Sequence, residues 1–106
     1  MRLVAFDVGN KSNSTGITLN RNIPNPFSTT TTLQFTIASR AHVTLKVLDL
    51  LGRVVATVID GDVERGEHSS RFDGSSLPSG AYLCQLLVIS PDGSRQMRTM
   101  PIRITH

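Results

Sequence analysis

Residues 43–61 read VTLKVLDLLGRVVATVIDG. Val43, Leu45 and Val47 alternate with Thr44, Lys46 and Leu48. Successive side chains of a strand point to opposite faces, so this run presents one apolar face and one mixed face. Asp49, Leu50, Leu51 and Gly52 then break the alternation. Asp can hold its own downstream backbone and Gly tolerates positive φ, so these four residues predict a turn. Past Arg53 the chain is apolar and mostly β-branched through Val54, Val55, Val58 and Ile59, and Asp60-Gly61 predicts another turn. The second arm is apolar on nearly both sides. It is therefore expected to lie inside a larger sandwich, with cover on both faces.

The rest of the chain supports the same class. Leu33, Phe35 and Ile37 alternate with Gln34 and Thr36, after the four threonines at 29–32. His68, Ser70 and Phe72 form a weaker alternating run. Tyr82, Cys84, Leu86 and Val88 alternate with Leu83, Gln85, Leu87 and Ile89, which predicts a long central strand apolar on nearly both faces. Ser90-Pro91-Asp92-Gly93 has the residue order of a β-turn. The closing strand is expected over 94–104, and Pro101 within it assigns it to an edge. Residues 2–8 alternate loosely and could form a further strand; residues 9–16 are small and polar and read as a linker. With no stripe of helical period, the expectation is an all-β chain: an Ig-like antiparallel β-sandwich of about seven strands. Residues 1–16 would be a strand or linker remnant of a preceding domain, and residues 17–106 the sandwich.

A chain of 106 residues is long enough for one core without disulfide staples. Its single cysteine, Cys84, excludes an intrachain bridge. Leu3-Val4-Ala5-Phe6 is too short an apolar stretch for a signal peptide, so an export signal would stand on sequence further upstream. No apolar run reaches the ~20 residues of a membrane span, and membrane insertion is not expected. Aromatics are 5% with no Trp, which argues against base stacking and sugar stacking; no nucleic acid partner is expected.

Candidate chemistry is sparse. His42, His68 and His106 lack metal-ligand spacing. Cys84 reads as a small core residue, not a nucleophile. Asp49, Asp60, Asp73 and Asp92 read as turn formers. Residues 60–64 are the one candidate calcium loop, without patterned ligand spacing. Neither a catalytic site, a cofactor nor a metal is expected. The net charge of +3 is dispersed except at the end, where Arg95, Arg98 and Arg103 follow Asp92 with no acid among them. Such a strand either blocks edge aggregation or steers toward an anionic partner.

One more segment carries a pattern. Asn22-Ile23-Pro24-Asn25-Pro26-Phe27 excludes helix, because each proline fixes φ and pushes the preceding residue to an extended conformation. Phe27 is the natural anchor for folding that segment onto a core. In order along the chain come Leu19, Asn22-x-Pro24-Asn25-Pro26-Phe27, Thr30-Thr31-Thr32-x-x-Phe35, the 43–55 run with Asp49 and Gly52-Arg53, Gly66-x-His68, Phe72-Asp73-Gly74, and Leu77-Pro78-Ser79-Gly80-x-Tyr82. The ordered set resembles the C-terminal sorting domain of proteins exported by the type IX secretion system. Its core is similar also to the Ig-like domain of the flagellar hook-capping protein FlgD.

The resemblance implies a non-catalytic targeting domain. It would direct a larger cargo protein across the outer membrane, via the periplasm, to the cell surface. It implies the export machinery and a sortase-like protease as partners, with residues 9–16 as the cleavage zone. The positions matching the signature are Asn22, Pro24, Asn25, Pro26, Phe27, Asp49, Gly52, Gly80 and Tyr82. Export recognition would fall on the basic last strand at Arg95, Met97, Arg98, Met100 and Arg103. The chain departs from the pattern in two places: Ser28-Thr29 stands where many members have a second Asn-Pro, and Pro101 opens a longer tail. Alternatives are a structural or adhesive Ig-like module and, less well supported, a carbohydrate-binding appendage of a hydrolase. Exposed edges also allow a homodimer, by edge-strand pairing or by exchange of the first arm.

Overall fold

The computed structural model describes residues 16–20 and 22–106. The expected strand at 2–8 and the linker, apart from Gly16, lie outside the described residues. Seven strands follow in order: β1 (Ile17–Leu19), β2 (Thr30–Ile37), β3 (Ala41–Leu48), β4 (Val54–Val63), β5 (Gly66–Asp73), β6 (Gly80–Ile89) and β7 (Arg95–Ile104). All pairings between these strands are antiparallel. One sheet has the order β1-β2-β5, the other β4-β3-β6-β7. The two sheets face each other as a sandwich.

Period-two burial builds the core. Leu33, Phe35 and Ile37 of β2 are buried, as are Val43, Leu45 and Val47 of β3 and Tyr82, Cys84, Leu86 and Val88 of β6. Phe27, Phe72, Ile102 and Ile104 complete one end. Full burial of side chains of this size stabilises by roughly 1.5–3 kcal/mol each, offset by their ordering. Gly74 is buried at that end. A Cβ there would stand 2.9 Å from Ile104 Cδ1 and 3.1 Å from Phe27 Cε2, so a larger residue would have to push the Ile104 side chain aside.

Two expectations about the central hairpin are corrected. β4 does not lie inside the sandwich; it is the outer strand of its sheet, and Val54 is 50% exposed. Its apolar residues cover the flank of the core without being enclosed, and two register shifts against β3 turn its side chains out of strict alternation. Nor is Asp60-Gly61 a turn. The strand runs through both to Val63, with Asp60 opposite Thr44 and Gly61 opposite Val43. Continued pairing with β3 outweighs the local turn preference, and the chain reverses at Glu64 and Arg65 instead. Three further expectations about the described residues hold. The Asp49–Gly52 turn forms with Gly52 at φ 86°, β6 is central, and β7 is an edge strand with Pro101 in it.

Candidate functional site

The proline-bearing segment is an arm that joins the two sheets. At its start Ile23 exchanges backbone hydrogen bonds with Thr32 of β2, at 3.2 and 3.0 Å. At its end Phe27 N–H donates to the Arg103 carbonyl at 3.1 Å, and Thr105 N–H donates to the Phe27 carbonyl at 2.9 Å. The arm has therefore crossed from β2 to β7 within a few residues. The Ile23-Pro24 and Asn25-Pro26 peptide bonds are both cis. Asn22 is buried, and its amide nitrogen donates to the Pro24 carbonyl at 3.1 Å and to Thr31 Oγ1 at 3.0 Å. The Thr31 hydroxyl donates in turn to the Pro24 carbonyl at 2.8 Å. Asn25 Oδ1 accepts from Arg103 N–H at 3.1 Å. The Phe27 ring packs edge-on against Phe72 with centroids 6.1 Å apart. Sequence reasoning gave Thr31 only a strand propensity; its inward position was nonetheless readable by stepping back two residues from Leu33.

The remaining signature residues sit toward the same end of the sandwich. Leu48, just before the Asp49 turn, lies opposite Leu83, and Gly80 lies opposite Ile104. The Asp49 carboxylate accepts from Leu51 N–H and Arg53 N–H, both at 2.9 Å, and from Arg53 Nε at 2.7 Å. Those bonds, led by the Arg53 N–H, hold its carboxyl below the ordinary carboxylate range. Gly80 has φ 150°, a backbone conformation that side-chain-bearing residues rarely adopt. The Tyr82 hydroxyl donates to the Pro78 carbonyl at 2.6 Å, tying the start of β6 to the loop before it. This is the tyrosine-corner arrangement of Ig-like sandwiches.

The five residues assigned to export recognition lie along β7. Arg95, Met97 and Arg103 share the outward face, opposite Ile89, Leu87 and Ala81 of β6. Arg95, Arg98 and Arg103 are exposed, and Met97 is 50% exposed. Met100 points to the inner side and is half-buried. Arg103 alone among them is joined to the signature arm by backbone bonds.

The residues considered for other chemistry have structural surroundings. Cys84 is fully buried, and burial pushes its thiol up to about 12. His42 bonds Asp60 at 3.0 Å on an exposed surface, and Arg40 meets Glu64 at 3.0 Å, so the carboxylates of 60–64 lie beside His42 and Arg40 along β4. No cluster of three metal-ligating side chains occurs among the described residues. The His68 ring stacks on Phe35 with centroids 5.3 Å apart.

Fold and arm together define a seven-stranded antiparallel β-sandwich whose sheets are cross-linked at one end by a proline-bearing segment. Comparison with known proteins agrees at this level. CopC from Methylosinus trichosporium OB3b superposes with a TM-score of 0.57 over 84% of this chain and 93% of that one, at 16% identity. That likeness is one of fold. No curated protein matches the sequence. The secretion system C-terminal sorting domain family matches residues 23–96. The chain belongs to that family, and is a sorting domain of the type IX secretion system. Such a domain is a secretion signal, not a catalyst; it engages the export machinery and marks a secreted or cell-surface protein.

Proposed function

We propose that this domain carries a larger cargo protein through the periplasm and across the outer membrane, and that the machinery reads it at β7. The observation behind this reading is the charge of that strand. Arg95, Arg98 and Arg103 are exposed on a sheet edge with no acidic residue between positions 95 and 104. The signature residues have a different task. Asn22, Asn25, Phe27, Gly80 and Tyr82 make bonds or packing contacts that build the end of the sandwich, and so hold β7 in place. On this reading the arm is the scaffold and the last strand is the address. A sortase-like protease then cuts within residues 9–16, where the composition is small and polar.

A reporter with a signal peptide, fused ahead of the 106-residue chain in a host with this export system, tests the reading. The parent fusion reaches the cell surface. The variant with Arg95, Arg98 and Arg103 all changed to Glu stays in the periplasm while melting as the parent does. Surface display of that variant at parental levels would remove β7 from the recognised surface. Mass spectrometry of the exported reporter locates the cut.

A further inference from the structure

The four sheet edges differ. β1 has three residues, and β4 carries two register shifts that spoil flat pairing. β5 has eight, among them Glu67, Arg71 and Asp73, whose side chains are exposed. β7 has ten residues and pairs with β6 without a register shift. A long regular edge presents a row of unpaired backbone groups, which is a template for a further strand.

The arm fills only one end of that row. Arg103 sends both its N–H and its carbonyl to the arm, so both point away from β6. Backbone direction alternates along an antiparallel strand, so Met97, Thr99 and Pro101 point the same way. Pro101, opposite Leu83, has no N–H to offer β6, which fits this phase. The Arg98 guanidinium donates to the Met97 carbonyl at 2.9 Å. That leaves the Met97 and Thr99 N–H groups and the Thr99 and Pro101 carbonyls facing outward, with no strand paired to them among the described residues.

A second observation lies beside the first. Where the arm leaves β7 for β2, a cavity of about 590 Å³ opens, lined by Asn22, Ile23, Pro24, Asn25, Met100 and Pro101. Asn22 is 3% exposed, and its Oδ1 is buried without a hydrogen-bond partner. Its amide nitrogen is occupied by Pro24 and Thr31, so the orphan is an acceptor. A buried acceptor left unpaired is costly, and it marks the wall of this cavity as the place where the arm's polar groups are incompletely satisfied.

We infer that the edge at residues 97–101, with the adjoining cavity, is a strand-addition site for an extended acidic segment of the export machinery. This rests on the reading that β7 is recognised, and it specifies how. The added strand bonds Met97 and Thr99 through its backbone, and a side chain of it enters the cavity beside Asn22. Its acidic groups lie against Arg95 and Arg98. A second copy fits less well. Two β7 strands paired antiparallel would bring three arginines of one copy alongside those of the other. Pairing of β7 with β4 of another copy would meet two register shifts and carboxylates already engaged by Arg40 and His42.

Thr99→Pro removes an outward N–H and obstructs an incoming strand, yet breaks no bond to β6. In the reporter fusion it lowers surface display about tenfold or more, the loss expected from one or two backbone bonds. Met97→Pro does the same at the neighbouring position. Both variants melt close to the parent. If the triple arginine variant abolishes display and both proline variants are exported normally, β7 is recognised but not by strand addition. If all three are exported normally, both readings fall. Amide exchange on the purified parent checks the edge without any variant: Met97 and Thr99 exchange fast, Arg98 and Met100 slowly. Protection of Met97 and Thr99 in the isolated chain, or a dimer by sedimentation that is abolished by Thr99→Pro, would overturn the proposal.

Discussion

Asp49, Asp73 and Asp92 do one job at three turns. Each carboxylate accepts a backbone N–H two residues on: from Leu51, Ser75 and Ser94, all at 2.9 Å. The largest influence on Asp49 is the Arg53 N–H, on Asp73 the Ser75 N–H, and on Asp92 the Ser94 N–H. All three carboxyls are held below the ordinary value of 3.8 in the folded chain. An unfolded carboxylate binds its proton first as pH falls, so these groups contribute stability above that value and lose it as pH drops through their folded values. The urea midpoint should hold steady down to about pH 5 and decline between about pH 4 and pH 2. Changing all three to Asn should lower the neutral midpoint and flatten that decline. A midpoint of the parent that is level from neutral pH to pH 2 would contradict this. Their role was legible because Asp followed closely by Gly or Ser is a local signal, decided within a few residues. Asp60 carries the same signal and has a different fate, since strand pairing with Thr44 takes it instead.

Among the elements, the arm at 22–27 matters most, because it is bonded to both sheets. Phe27 is 2% exposed and packs on Phe72 and beside Gly74. Phe27→Ala should cost about 3–5 kcal/mol, the range for a large buried aromatic, measured by equilibrium denaturation. A loss under about 1 kcal/mol would mean that the arm is not part of the cooperative core. That Phe27 anchors the segment was readable from an aromatic following two prolines. That the segment reaches β7 was not, because its partners Arg103 and Thr105 are remote in sequence and no local preference encodes them. β4 shows the same limit. Its β-branched content says strand, but β-propensity reports a fit to a pleated surface and not which neighbours a strand will have. Enclosure was inferred from hydrophobicity alone, and the sheet order decided otherwise.

For the whole molecule, the facing layers leave Cys84 at 0% exposure in the middle of β6, with burial raising its thiol to about 12. Alkylation at mildly alkaline pH must then wait for opening of the sandwich, and should be slower than in urea by a factor on the order of a hundred or more. Labelling at the rate of the unfolded chain would show that the two sheets part easily. The seven strands and their antiparallel layering were legible because period-two burial is a property of each strand separately. The surface was less so: Arg95, Arg98 and Arg103 were visible as a basic run, but that their strand borders a cavity beside Asn22 depends on the path of the arm. The opposed edges of one sheet also emerge only in three dimensions, with Asp60 and Asp62 on β4 and the arginines on β7.

The bond from Arg103 N–H to Asn25 joins residues 78 apart in sequence, and Thr105 closes on Phe27 beside it. During synthesis the arm can bond β2 soon after it is made, but its Phe27 end has no backbone partner until the chain has been made through Thr105. A prematurely terminated polypeptide would carry every earlier part of the sandwich but leave that latch open. Closure of the fold thereby waits on synthesis through Thr105, and a machine that reads β7 only in its latched position would leave shorter fragments behind.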